Sequence, residues 1–172
     1  DRIMYIVLNH SLPYAFVNIY GPTAQHPTAE KEAFYQQLTE LYFALSPTHQ
    51  VYLGGDFNAR LQCKLFEDES SIGPYIFDST NTFQQGADVL ENRTLFLGFA
   101  QRCKLYVVNT FFPKPLEQIT YREIGTEEGA PWTRRRYETL DYWLTSARWF
   151  NSIKDISADH YTGVSTNHYP LW

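Results

Sequence analysis

Cysteine is nearly absent: Cys63 and Cys103 are the only two in 172 residues. Two thiols are too few for a disulfide scaffold and lack metal-site spacing, so both are expected as buried free thiols. Long apolar runs are missing too. No stretch approaches the roughly 18 residues that span a bilayer, and nothing has the layout of a signal peptide. A soluble, intracellular-type chain without a membrane span is the expectation. Basic charge is also scarce. Fourteen Lys and Arg against nineteen Asp and Glu give a net charge of −5, which argues against a dedicated high-affinity nucleic-acid binder and leaves nucleic acid a weak partner. Repeats and low-complexity tracts are absent.

What is present is core material. Hydrophobic residues make up 44% of the chain and aromatics 17%, ample for one packed domain over residues 1–172. Both ends look incomplete: the chain opens at Asp1 straight into the strand Ile3–Leu8 and stops at Trp172 after a turn that should launch another strand. A single partial domain is therefore expected. A second strand runs from Tyr14 to Tyr20. Thr28 is placed to N-cap a helix with Glu30 and Glu32 in its first turn, and Phe34, Leu38, Leu41, Tyr42 and Leu45 recur at helical spacing until Ser46-Pro47. After a strand at Val51 comes a polar loop through Asp88, then a second helix with Leu95, Phe96, Phe99, Ala100 and Cys103 facing inward. Further strands are expected at Leu105–Thr110, near Ile119–Tyr121, at Tyr137–Leu144 and at Ile153–Ala158.

The chemistry begins at Gly54-Gly55-Asp56-Phe57-Asn58-Ala59, which follows the apolar run Val51-Tyr52-Leu53. On a strand end, Asp56 and Asn58 point to one face and can converge on one ligand. The glycines admit a ligand or a neighbouring backbone. A hard cation holding a phosphate suits a carboxylate and an amide; the plainer alternative is an Asp-x-Asn strand-to-turn corner. Leu140-Asp141-Tyr142-Trp143-Leu144 alternates as a strand with Asp141 opposed to Leu140. Ser165-Thr166-Asn167-His168-Tyr169-Pro170-Leu171 places a His beside a short polar residue ahead of a proline.

In order and approximate spacing these segments, with Asn18-Ile19-Tyr20-Gly21-Pro22, resemble the endonuclease/exonuclease/phosphatase superfamily. Gly54–Ala59, Val108-Asn109-Thr110 and Leu140–Leu144 are most similar to the endonuclease domains of non-LTR retrotransposons. The resemblance implies a four-layer α/β sandwich with helices outside and Mg2+-dependent phosphodiester hydrolysis. It would place Asp56 beside the attacking water, Asn58 on a phosphate oxygen, the Tyr20 hydroxyl on the phosphate, and Asp141 as the carboxylate orienting His168. The alternatives are a core-packing tyrosine for Tyr20 and a strand-edge carboxylate for Asp141. If the resemblance holds, Asp56, Asn58, Asp141 and His168 share one cleft, with Asp141 about 2.6–3.2 Å from His168.

A cation would be held by Asp56, Asn58 and the residue before His168. That residue is Asn167 where the family has Asp, so one charge is missing; charge-assisted hydrogen bonds are worth about 1.5–3 kcal/mol. The family's opening strands, which supply an Asn and a Glu to the metal site, have no match. Metal catalysis depends on ligand number and geometry, so the expectation is a degenerate nuclease domain acting as a structural or interaction subunit, with another protein chain as partner near Tyr5, Val7, Tyr169 and Trp172. The alternative is an active endonuclease completed by a segment outside this chain. A phosphatase for inositol or sphingolipid head groups has no specific motif here. Asp159-His160 is a second Asp-His pair, read as surface or strand-end residues because no proline follows. Arg134, Arg135 and Arg136, with Arg122, read as a solvated hairpin tip rather than a phosphate-binding loop. His10, His26 and His49 carry no pairing signal, and Trp132, Trp143, Trp149 and Trp172 are expected in the core or facing a partner.

Overall fold

Period-two alternation sorts the strands into two faces. The computed structural model of the chain describes residues 2–67, 69–77, 86–127, 131, 136–161 and 166–172. β1 (Ile3–Leu8) and β2 (Tyr14–Tyr20) form an antiparallel pair with Met4 opposite Asn18 and Ile6 opposite Phe16. The chain crosses over through α1 (Thr28–Leu45) and returns as β3 (Gln50–Asp56), parallel to β2. α2 (Ala87–Arg102) leads into β4 (Leu105–Val107) and a 3-10 turn at Val108–Phe111. β5 (Tyr121–Arg122) and β6 (Tyr137–Glu138) pair as a small second sheet. β7 (Asp141–Ser146) then enters the main sheet between β3 and β4 and runs into the short α3 (Ala147–Phe150). The main sheet has the order β1-β2-β3-β7-β4.

One face of that sheet carries Val17, Ile19, Val51, Leu53, Tyr142 and Leu144, all buried against Phe34, Leu38 and Tyr42 of α1 and Phe96, Phe99 and Ala100 of α2. Leu38, Leu53 and Phe96 are 0% exposed, and full burial of such side chains stabilises by about 1.5–3 kcal/mol each. The other face carries Phe16, Asn18, Tyr52, Gly54 and Trp143, and residues 152–156 and 168–172 lie across part of it. The chain is thus an α/β sandwich: helices, the five-stranded sheet, and a second, smaller sheet layer. Among the described residues no helix is long and apolar enough to cross a membrane.

Several local expectations are corrected. Thr28 is not the N-cap: the cap position is Pro27, and the Thr28 hydroxyl donates to Glu91 at 2.6 Å. The strand expected at Leu105–Thr110 ends at Val107, because Asn109 turns inward to accept from the Trp143 N–H at 2.8 Å. Tyr137–Leu144 is broken at Thr139-Leu140, where the Leu140 and Asp141 N–H groups donate to the Thr120 hydroxyl rather than to a strand. The strand near Ile119 is confined to Tyr121–Arg122. Ile153–Ala158 forms only an isolated bridge between Ala158 and Leu171. The loop after β3 is not simply polar: Phe57, Leu61, Ile72 and Ile76 enter the core. Arg93 of α2 satisfies its backbone, donating to the Leu61 and Cys63 carbonyls while its guanidinium pairs with Glu69 at 2.7 Å.

Cys103 is buried, and burial pushes its thiol up to about 11; Cys63 is only half-buried. Trp143 and Trp149 are half-buried and Trp172 is 74% exposed. Trp132, Arg134, Arg135 and Ser165 lie outside the described residues.

Candidate active site

Sheet register brings the acidic residues together. Asp56 ends β3 and is the direct antiparallel partner of Asp141, which begins β7, while Tyr20 at the end of β2 is its parallel partner. The three side chains leave the sheet on the face away from the helices. Gly55 makes this approach feasible: its φ is +135°, and a Cβ there would collide with the Ile19 carbonyl. The double glycine therefore admits neighbouring backbone at Gly55 and, at Gly54, the Trp143 ring.

Asp56 opens a tight corner. Its Oδ1 accepts the Asn58 N–H at 2.8 Å, Asn58 adopts φ 50°, and the Asn58 amide donates to the Gly21 carbonyl at 3.0 Å. The plain corner anticipated from Asp-x-Asn is present, built from one carboxylate oxygen. The other, Oδ2, faces His168 Nε2 at 3.8 Å, too long for a direct hydrogen bond. His168 Nδ1 lies 3.0 Å from Asp141 Oδ2. A carboxylate only accepts, so Nδ1 carries the proton and, in the neutral ring, the Nε2 lone pair is turned toward Asp56.

His168 is held by its backbone. It bridges to Tyr121, with the Arg122 N–H on the Asn167 carbonyl at 2.8 Å and the Tyr169 N–H on the Thr120 carbonyl at 2.7 Å. The Tyr121 ring meets the imidazole edge-on with centroids 5.1 Å apart. Burial, reinforced by the Asp141 charge and opposed by the Asn58 N–H and His168, pushes the Asp56 carboxyl up to about 6. The hydrogen bond to Asp141 raises His168 above its ordinary 6.5 despite burial, with both carboxylate charges adding to the effect.

Asp56, Asn58, Asp141 and His168 are therefore brought together. Tyr20 is beside them by register, is 55% exposed, and carries the Arg2 guanidinium 5.5 Å from its ring centroid, so it is not a core tyrosine. The second Asp-His pair is half-buried just past the Ala158 bridge, as strand-end residues: His160 Nε2 is 2.9 Å from the Ile119 carbonyl and its ring meets Tyr169. Three neutral residues escaped the sequence reading as parts of the site. Thr120 and Asn109 hold the start of β7, and Asn92 of α2 donates to both the Pro22 and Asn58 carbonyls at 3.0 and 2.7 Å. An Asn interrupting the apolar face of an amphipathic helix was the signal available for Asn92.

The expected cation set, Asp56, Asn58 and Asn167, offers one carboxylate and two neutral amides. Among the described residues no three His, Cys, Asp or Glu side chains are grouped to hold a metal ion, and Asn58 already directs its amide nitrogen to Gly21. A divalent cation on the expected set would meet one carboxylate and two amide oxygens, and would need further oxygen ligands to fill its coordination.

No protein-family model and no curated protein sequence matches the chain. Solved structures do. A Neisseria 3′ phosphatase, NExo, bound to a product DNA hairpin is 17% identical over 99% of this chain and 63% of that one, with a TM-score of 0.64. The AP endonuclease LMAP from Leishmania major is 18% identical over 99% and 53%, with a TM-score of 0.67. The endonuclease domain of TRAS1, a telomere-specific non-LTR retrotransposon, is 13% identical over 99% and 59%, with a TM-score of 0.60. The chain thus has the endonuclease/exonuclease/phosphatase fold and spans 53% to 63% of the length of these structures.

Proposed function

We propose that this chain carries the acid–base portion of a phosphoester-hydrolysing centre for nucleic acid, with too few cation ligands to cleave nucleic acid alone. The observation that carries this reading is the Asp141–His168 hydrogen bond with Nε2 turned to Asp56. His168 Nε2 takes a proton from a water held against Asp56, the water oxygen bonds to phosphorus, and the ester P–O bond breaks. The departing oxygen takes the proton back from His168. Asp141 keeps the imidazole in the useful tautomer and stabilises its cationic form. Asn58 donates its amide to the Gly21 carbonyl and its side chain also meets the Asp56 carboxylate, which fixes it at the edge of the site. Mg2+ dependence, expected from the resemblance, rests on ligands beyond these residues.

Hydrolysis of bis(p-nitrophenyl) phosphate, whose leaving group needs little assistance, tests the assignment. The wild-type chain should exceed His168→Gln by about 100-fold, the lower end of general-base contributions. Equal rates would remove the acid–base reading. Plasmid DNA should not be nicked with Mg2+, by wild type or by Asn167→Asp; nicking that Asp56→Ala abolishes would show that the site is complete.

A second reading, an interaction subunit, is favoured by the sheet face away from the helices. Met4, Ile6 and Leu8 are 65%, 57% and 50% exposed on β1, which has β2 as its one neighbour in the sheet. Cavities of about 410 and 380 Å3 lie between that face and residues 152–156 and 168–172. Open edges invite pairing and apolar patches invite cover. The partner proposed is a second polypeptide that adds strands along β1.

A further inference from the structure

We propose that the cleft between the 21–26 loop and the 57–60 turn is an anion subsite for a phosphate adjacent to the one hydrolysed, with Arg60 as its positioning residue. The proposal rests on the nucleic-acid reading above. His168 borders two cavities of different character. The larger runs under the sheet between Met4, Phe16 and Trp143 and is apolar. The smaller, about 190 Å3, is bounded by Thr23, Gln25, Asn58, Arg60, Tyr121 and His168. A charged diester reaching His168 is accommodated on the polar side.

Among the described residues, Arg60 is the arginine that lines this cavity. Its side chain is 39% exposed, and its ion pair, from Nε to Glu138 Oε1, spans 3.5 Å. That separation exceeds a good N–H···O hydrogen bond, so Glu138 aims the guanidinium without closing its donor fork. Such a fork binds a phosphate through two parallel N–H···O bonds. In a chain of net charge −5, an arginine beside the His168 cleft is not one member of a general basic surface. The cleft is also held at fixed width. Asn92, 0% exposed, donates to Pro22 on one wall and Asn58 on the other. The Phe57 N–H is tied to the Leu140 carbonyl at 2.9 Å, so the turn carrying Arg60 is anchored to the strand that carries Asp141. Arg60 and His168 thus belong to one rigid frame, and a phosphate on Arg60 would hold the neighbouring ester in a set place.

The test is fluorescence anisotropy of a labelled DNA hairpin with the intact chain across several salt concentrations. Neutralising one phosphate contact changes the slope of log K against log salt by about 0.7–0.9. Arg60→Gln should lose that much slope and bind several-fold more weakly, Arg60→Lys should keep the slope while binding less tightly, and Arg148→Gln, at the far end of β7, should match wild type. Circular dichroism melts confirm that each variant is folded. An unchanged slope in Arg60→Gln, a slope lost equally in Arg60→Lys, or an equal loss in Arg148→Gln overturns the subsite and leaves the hydrolytic reading standing. Absence of salt-dependent binding by wild type overturns nucleic acid as the substrate, and this subsite with it.

Discussion

Replacing Asp56 by Asn should stabilise the protein at neutral pH, and by an amount that disappears in acid. The carboxyl is largely buried and faces Asp141, which together raise it from 3.8 to about 6. A folded value above the unfolded one means that folding favours the protonated acid. The penalty on the folded state is therefore absent well below pH 3.8, grows through the window from 3.8 to 6, and is complete above it. At 1.36 kcal/mol per pH unit the full penalty is about 3 kcal/mol, an upper figure because solvent reaches part of the group and His168 offsets some of the charge. Asn keeps the shape and its side-chain oxygen still accepts the Asn58 N–H, so Asp56→Asn removes the penalty without opening a cavity. A gain of about 1–3 kcal/mol corresponds to roughly 2–12 °C in Tm for a domain of this size. Circular dichroism melts at pH 8 and pH 4 read it directly. The variant should melt higher at pH 8, and the gap should fall below about 1 kcal/mol at pH 4. A variant that melts below wild type at pH 8, or a gap that ignores pH, would refute the reasoning.

Asp141→Asn removes the charge that holds the His168 proton, so the imidazole should titrate below its wild-type value in an NMR pH series; an unmoved His168 would show that the 3.0 Å contact does not govern it. Because His168 is raised in the fold, its contribution to stability is full below pH 6.5 and fades as pH rises through its folded value. Gly55→Ala should cost more than about 1 kcal/mol, since it combines a φ of +135° with a collision against Ile19, whereas Gly98→Ala, in open space within α2, should gain about 0.5–1 kcal/mol; melting both variants separates the two cases. The purified chain should self-associate in size-exclusion chromatography, and Met4→Lys with Ile6→Lys should reduce that; a wild-type chain that runs as a sharp monomer and melts cooperatively would show that the exposed face needs no cover.

The parts of the site that repeat with period two were readable from the chain alone. Asp56 and Asn58 sit at a strand end because Val51, Tyr52 and Leu53 announce the strand, and Asp141 is opposed to Leu140 and beside Tyr142 for the same reason. What could not be read was register. Nothing local says that Asp56 faces Asp141 rather than Trp143, since that pairing closes a loop of more than eighty residues. The misread strands share one cause. Val108-Asn109-Thr110 and Thr139-Leu140 are apolar or β-branched enough to suggest strands, but their backbone groups and the Asn109 amide are taken by side chains and loops from elsewhere in the fold. Thr28 fails as a cap for a similar reason, because a distant glutamate, Glu91, claims its hydroxyl. Tertiary hydrogen bonds, absent from any local pattern, override the propensity in each case.

The two faces of the sheet also divide the charges. On the helix side, the buried Lys31 pairs with the part-exposed Glu91 at 2.7 Å and the buried Arg93 with the buried Glu69 at 2.7 Å, so each buried charge there has a permanent counter-ion beside it. On the other side, among the described residues, Asp56 and Asp141 meet no lysine or arginine, and His168 is the basic group they share. A lysine or arginine in that position would hold both acids ionised throughout the physiological range and leave nothing to move. An imidazole neutralises them only while it is protonated, and it can release that proton near neutral pH. The backbone around the trio is held instead by neutral groups: Thr120, Asn109 and Asn92. Structural duties therefore fall on side chains that do not titrate, and the side chains that do are left with a partner whose charge is conditional. That division has a cost, because Asp56 and Asp141 repel each other whenever both are ionised, and it is consistent with the proposed proton-transferring role.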